Sequence, residues 1–445
     1  MTENNACPID AFQQRLAQLD ETALDQARAT LVSKWSYAAE VYARACVHCG
    51  LCSDSCHYFL IDPSKESVPA YRLKLVTDVF ACHQSKSRKI SGARELDRNT
   101  VDEWIDCLFG RCTLCNRCGL NCSVGINIAQ MIRIGRSVLA ASRLVPPELQ
   151  STVDAAVNTG NNMAISREEW FETIDWLNGE LQQEVGDPQA CLPLDRAGAT
   201  ILYAVNPREV KFFPLSLLAA AKIFHTAGEN WTFSKEYYDV TNYALFSGDD
   251  TIGGMLSSRL IETARKLGVR TLVLGECGHG FKATRWDAPE WLGQTPDIEI
   301  KSVLEVVEDY IRQGRIRLDP RLNSKRVTLH DPCNLVRNGG IVEQSRAILK
   351  AGVSDFVEMI PNRLQNYCCG GGGGQLSMTR YAKRRLAAGK VKADQIAATG
   401  AKIVVAPCHN CIDQLSELNR DYKLGVEVKT VCEMVADAIV GTPAS

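Results

Sequence analysis

The chain has 445 residues, enough for two to three domains, with 45% hydrophobic and 23% charged residues and a formal net charge of −2. That balance speaks against nucleic acid as a partner, and the sequence has no acidic tail to attract a basic one. The outlier is the 19 cysteines: Met1–Ala11 has neither a basic run nor an apolar core, so no secretory signal is expected, and tightly clustered thiols in an odd number read as metal ligands rather than disulfides.

Residues 1–45 are expected to be helical on a stripe of Phe12, Leu16, Leu19, Leu24 and Ala27, with a packing or docking role. A module over 46–145 follows. It opens with Cys46, Cys49, Cys52 and Cys56 in the spacing C-x2-C-x2-C-x3-C, which recurs at Cys112, Cys115, Cys118 and Cys122. This doubled spacing is that of bacterial two-cluster ferredoxins, where the fourth cysteine of each run crosses to the other cluster. The expected ligand sets are therefore Cys46, Cys49, Cys52 and Cys122 for one [4Fe–4S] cluster, and Cys112, Cys115, Cys118 and Cys56 for the other. Zinc, which favours paired C-x2-C knuckles far apart in sequence, fits less well. His57 and Ser123 stand where a proline usually follows the fourth cysteine.

The insertion 58–109 carries a helical segment from Arg72 to Phe80 and a basic run from Lys86 to Arg98, either a solvated loop or a docking surface. Cys82 and Cys107 fit neither motif and are expected to be structural thiols. A helix over Ile126–Leu144 stops at Pro146-Pro147. Residues 146–195 read as a helical linker, with a boundary near 195. No membrane span is expected: the most apolar stretch, Phe212–Ala227, is short and holds Lys222 and His225.

From there the chain reads as duplicated, 196–322 and 323–445. Ala199–Val205 and Arg326–His330 are strand-like runs, each followed two residues on by proline. Gly268–Gly280 resembles Gly400–Cys411, with one extra residue before Cys277 than before Cys408. Strands alternating with helices make each half a small parallel α/β sheet, with functional loops at the carboxyl ends of the strands. The fold class expected is α+β overall: a helical two-cluster ferredoxin-like module plus a duplicated α/β domain.

In the second half the pattern is Cys333-x34-Cys368-Cys369-Gly370-x37-Cys408-x2-Cys411. Adjacent cysteines such as Cys368 and Cys369 do not form an ordinary disulfide without strain. The glycines from Gly370 and Gly371 to Gly374 leave backbone N–H groups open to an anionic cofactor. Five converging thiols suit a metal–sulfur cluster. A plain [4Fe–4S] cluster with a spare thiol, a zinc site and a structural cysteine nest stand as alternatives. The first half keeps only Cys277. Arg208 stands where Cys333 would be, Val240-Thr241-Asn242 lies roughly where Cys-Cys-Gly would be, and Gly280 replaces Cys411. Cys277 sits between Glu276 and His279, and an imidazole there would lower the thiol pKa and move a proton. A redox-active thiol and a vestigial buried cysteine are both open readings. His330 and His409, each near a ligand cysteine, are candidate donors to cluster sulfur or packing residues.

These motifs resemble the cysteine-rich CCG domain of the heterodisulfide-reductase family. The whole arrangement is similar to the catalytic subunit of membrane-bound heterodisulfide reductases. It is similar also to iron–sulfur subunits of the sulfite-reduction-associated, tetrahaem and high-molecular-mass cytochrome complexes. Cys56-His-Tyr-Phe-Leu, Asn206–Pro214 and Glu276-Cys-Gly-His279 look most like that last group. The resemblance implies one noncubane [4Fe–4S] cluster on Cys333, Cys368, Cys369, Cys408 and Cys411, fed through two [4Fe–4S] clusters. It implies a thiol/disulfide oxidoreductase with a disulfide, thiol or carrier-protein substrate. It places the chain on the cytoplasmic face of the membrane, bound to an integral-membrane quinone- or haem b-binding subunit and other redox subunits. The runner-up is an electron-relay subunit of a flavin dehydrogenase of the glycolate, lactate or glycerol-3-phosphate type, with no substrate site of its own.

Overall fold

The computed structural model of the chain describes residues 8–17, 19–84 and 93–440. Part of the basic run that begins at Lys86 lies outside the described residues. The molecule divides into two compact units. One holds the chain up to Val153 together with Tyr243–Asp250 and Gly370–Val391; the other holds Asp154–Asn242, Thr251–Cys369 and the chain from Lys392. The 146–195 stretch is thus no separate linker. Its helix Arg167–Val185 starts at Ser166, whose side chain accepts from the Glu169 N–H, and buries Trp170, Ile174, Leu177 and Leu181 in the core of the second unit.

The first unit is helical. The amino-terminal stripe is broken into Pro8–Ala17, Glu21–Lys34 and Tyr37–Ala45, because Asp20 and Ser36 each cap a new start. The insertion between the cysteine runs forms a long helix, Pro69–Gln84, which packs against Ile128–Ala141. Gly135 permits that approach: a Cβ there would lie 2.7 Å from Leu108 and 2.8 Å from Val76. No described helix is long and apolar enough to cross a membrane.

The second unit confirms the duplication. Strands β1 (Ile201–Ala204), β2 (Trp231–Thr232), β3 (Thr271–Leu274) and β4 (Glu299–Ser302) form a parallel sheet in the order β2-β1-β3-β4. Strands β5 (Arg326–Leu329), β6 (Asp355–Glu358), β7 (Ile403–Val405) and β8 (Glu427–Lys429) repeat that order as β6-β5-β7-β8. Parallel pairing requires crossover connections, and helices fill them in both halves. The β1/β3 and β5/β7 seams are topological switch points, where a crevice opens beyond the strand ends.

The strand registers align the halves residue by residue. Ala204 pairs with Leu274 as Leu329 pairs with Val405. Val205 is therefore the counterpart of His330, Arg208 of Cys333, Cys277 of Cys408, and Gly280 of Cys411. Since Cys277 and Cys408 stand equally far beyond their strands, the extra residue noted in the sequence falls before β3. Both cysteines take the same turn: the N–H of Cys277 bonds to Gly275 O at 2.7 Å and that of Cys408 to Ala406 O at 2.8 Å. Each then caps the helix that follows.

Candidate metal centres

In the first unit the cysteine runs build two thiol-lined cavities, and the fourth cysteine of each run does cross over. One cavity is lined by Cys46, Cys49, Cys52 and Cys122, with Leu73, Val124 and Ile126 around them. The other is lined by Cys56, Cys112, Cys115 and Cys118, with Arg72 and Ile132. The loops share a backbone pattern. His48 (φ 53°) and Gly50 (φ 82°) match Leu114 (φ 55°) and Asn116 (φ 59°), all left-handed. Alternating left-handed residues turn successive N–H groups inward and form an anion-binding concavity. Leucine resists that conformation, so its adoption at Leu114 marks a functional constraint. Four thiols around a small hollow, within loops of this conformation, fit an iron–sulfur cluster.

The two cavities differ in exposure and charge. Cys49 is exposed and is flanked by exposed Val47 and Leu51. Beside the other cavity lies Arg72, 1% exposed, donating to Cys56 Sγ at 3.1 Å, to Ser67 O at 2.7 Å and to Arg111 O. Burial opposes its charge, but the thiols of Cys56 and Cys112 hold its pKa above the ordinary value. Buried Arg136 binds the carbonyls of Leu108, Cys112, Phe246 and Gly373. Nothing in the sequence singled these arginines out, because their role depends on long-range contacts.

Beyond Gly370 and Gly371, which the sequence reading leaves open to an anionic cofactor, Gly372 and Gly373 pack against the Cys112–Thr113 backbone. A Cβ on Gly373 would lie 2.6 Å from Thr113 Cα, and one on Gly374 2.9 Å from Leu149. Their bareness serves close backbone approach. Gly370, at φ 106°, takes a turn that side chains avoid.

In the second unit Cys333, Cys368, Cys369, Cys408 and Cys411 are all buried. Cys333 lies beyond β5 and Cys408 beyond β7, at the switch point. Cys369 Sγ and Cys411 Sγ are 3.4 Å apart, and the metal-ligating atoms of His330, Cys369 and Cys411 all lie within 4.8 Å of one another. The Cys408 thiol is lowered to about 7 by the hydrogen bond with Cys411, against the effect of burial, with help from the Gly278 N–H. The buried ammonium of Lys392 donates to Asn366 Oδ1 at 2.5 Å. Burial lowers its pKa to about 8, while Asp331 and the thiols of Cys369 and Cys368 pull the other way. Thiols, an imidazole and an ammonium in one buried place suit an anionic metal–sulfur group.

Cys277, the first-half counterpart of Cys408, is 0% exposed, with Sγ 3.4 Å from His279 Nδ1 and 3.9 Å from Asn206 Nδ2. The expected activation runs the other way: burial raises the Cys277 thiol well above its ordinary value and lowers His279 to about 3. A neutral imidazole offers no positive charge to hold a thiolate. The Glu276 side chain is committed elsewhere, accepting from the N–H groups of Val431 (2.9 Å) and Cys432 (3.3 Å) at a helix start. Its backbone carbonyl takes the N–H of His409 at 3.1 Å, tying the halves together. Cys82 and Cys107 are buried, and neither lines the two cavities.

The fold and its thiol sites define an iron–sulfur protein. Residues 42–126 match the 4Fe-4S dicluster domain family, and residues 327–416 match the cysteine-rich domain family, CCG. Among relatives, the Hdr-like menaquinol oxidoreductase iron-sulfur subunit of Archaeoglobus profundus is 28% identical over 95% of this chain and 83% of its own. A dihydromethanophenazine:CoB–CoM heterodisulfide reductase subunit from Methanosarcina mazei is 25% identical over 89% of this chain and 93% of its own. The EtfAB:quinone oxidoreductase of Syntrophomonas wolfei is 21% identical over 84% of this chain and 54% of its own. Along most of its length the chain is thus similar to heterodisulfide-reductase-like iron–sulfur subunits, and its matched domains support an oxidoreductase role.

Proposed function

We propose that the chain is the cytoplasmic, catalytic iron–sulfur subunit of a membrane-bound electron-transfer complex, and that it interconverts a disulfide and its thiols. Cys46, Cys49, Cys52 and Cys122 would hold one [4Fe–4S] cluster, and Cys112, Cys115, Cys118 and Cys56 the other. Cys333, Cys368, Cys369, Cys408 and Cys411 would hold a noncubane [4Fe–4S] cluster, which supplies one-electron chemistry and iron with affinity for sulfur. Reduction adds two electrons and two protons to the disulfide bond and releases two thiols; oxidation is the reverse.

The observation that carries the reading is that all five motif cysteines of one half are buried, whereas the other half has a cysteine, Cys277, at only one of the matching places. That gives one such centre rather than a facing pair. Around it the protein supplies charge and protons. The Lys392 ammonium offsets negative charge on the thiolates. The Glu209 carboxyl, raised to about 8 by burial, keeps its proton near neutrality, with Oε1 3.5 Å from His409 Nδ1. Membrane attachment would run through an integral-membrane quinone- or haem b-binding subunit. The relatives' names support this, since two of the three name a quinone or quinol.

The test is disulfide reduction by dye-reduced protein, wild type against Cys369→Ser. The variant is expected to lose all turnover and the iron of one cluster while both ferredoxin-type clusters stay reducible. Should the wild type reduce no thiol-linked substrate while all its clusters take up electrons, the chain is a relay for a flavin dehydrogenase instead.

A further inference from the structure

His330 directly follows β5. Its side chain is 0% exposed, and neither Nδ1 nor Nε2 has a hydrogen-bond partner among the described residues. Only its backbone is engaged, the N–H donating to Val405 O at 2.8 Å. An orphaned buried imidazole is costly, since buried polar groups in proteins are almost always paired. This one is grouped with two thiols: its nitrogen, Cys369 Sγ and Cys411 Sγ lie within 4.8 Å of one another. The nitrogen makes no hydrogen bond to either sulfur, yet the spacing is close to that of ligands sharing a metal. With bonds of about 2.0 Å to nitrogen and about 2.3 Å to sulfur, tetrahedral ligand atoms stand about 3.5 Å apart.

The other half supplies an independent comparison. There the counterpart of His330 is Val205, also 0% exposed, and the counterpart of Cys411 is Gly280. The backbone thus accepts an apolar residue at this place, and the imidazole occurs only in the half that has the thiols.

We propose that His330 is a ligand to iron at the Cys369–Cys411 corner of the centre, so that its ligand set is five sulfurs and one nitrogen. This rests on the reading of the five cysteines as a cluster site. A neutral imidazole adds a ligand without the negative charge that a sixth thiolate would add, and so keeps the reduced form accessible.

The test is pulsed electron paramagnetic resonance of the paramagnetic third centre in the full-length protein, made with unlabelled and with 15N-labelled histidine. The expected result is the strong hyperfine coupling of a directly bound nitrogen, shifted by the label and lost in His330→Val. If that variant fails to fold, His409→Gln serves in its place and is expected to retain the coupling. Iron and sulfide at the third centre with only weak nitrogen coupling would overturn the ligand assignment alone. Iron matching the dicluster domain alone would overturn the cluster reading as well.

Discussion

At the strand ends of the second α/β half stand His330, Cys333, Cys408 and Cys411. At the same places in the first half stand Val205, Arg208, Cys277 and Gly280. Both sheets have one strand order, and both strand-end cysteines take one turn, so the fold does not require the metal ligands. The first half also shows how such a site is closed. Arg208 forms an ion pair with Asp413 on the helix His409–Tyr422. Gly280 lies against the Val240 carbonyl. Asp239 accepts from the N–H groups of Thr241 (2.6 Å) and Asn162 (2.8 Å), and the Asn242 side chain donates to Gly253 O at 2.9 Å. One scaffold therefore carries either a group of buried thiols or a protein-filled plug. Which of the two it carries depends on four or five residues at strand ends.

The strongest way to break that comparison is to restore a thiol in the first half. In Gly280→Cys the new Cβ would collide with the Val240 backbone carbonyl, which cannot swing aside as a side chain would. A loss of about 1–3 kcal/mol in stability is expected, with no gain of iron, read by thermal unfolding and metal content. A gain in bound iron at undiminished stability would mean that the first half is a dormant metal site rather than a plug.

A milder change sharpens the contrast at Cys277. Because its thiol is buried and its pKa is raised, Cys277→Ala is expected to leave disulfide turnover unchanged and to cost about 1 kcal/mol in unfolding. A fall in kcat with cluster content intact would restore the residue to the chemistry.

The smallest effect expected is a pH dependence. Burial raises Glu209 to about 8, above its value in an unfolded chain, so the folded state holds the extra proton. The stability from this group is present at low pH and declines as pH rises from about 4.5 through about 8. Glu209→Gln keeps an acceptor for the Asn206 N–H, which Glu209 Oε1 now takes at 2.9 Å, and removes the titration. Its melting temperature should exceed the wild type's by a few degrees at pH 9 and match it near pH 5. Equal melting profiles at both pH values would show that Glu209 is ionised without penalty.

Much was legible from the chain alone. The doubled C-x2-C-x2-C-x3-C spacing pointed to two crossed thiol sets, because it is the spacing of two-cluster ferredoxins. The Cys-Cys-Gly pattern and the repeated strand-to-cysteine segments specified two α/β halves, one with the five motif thiols. Tertiary structure decided the rest. Arg72, Lys392 and Glu209 became part of the sites only because distant segments bury them beside thiols or carboxyls, and no local pattern encodes such burial. His279 looked like an activator of Cys277, yet burial inverts the effect, since desolvation disfavours both the imidazolium and the thiolate. Of the glycines after Cys369, read as backbone open to a cofactor, Gly372 and Gly373 pack against a distant backbone segment. Spacing along the chain sets which ligands can meet; the protonation, charge and access of those ligands depend on what folds over them.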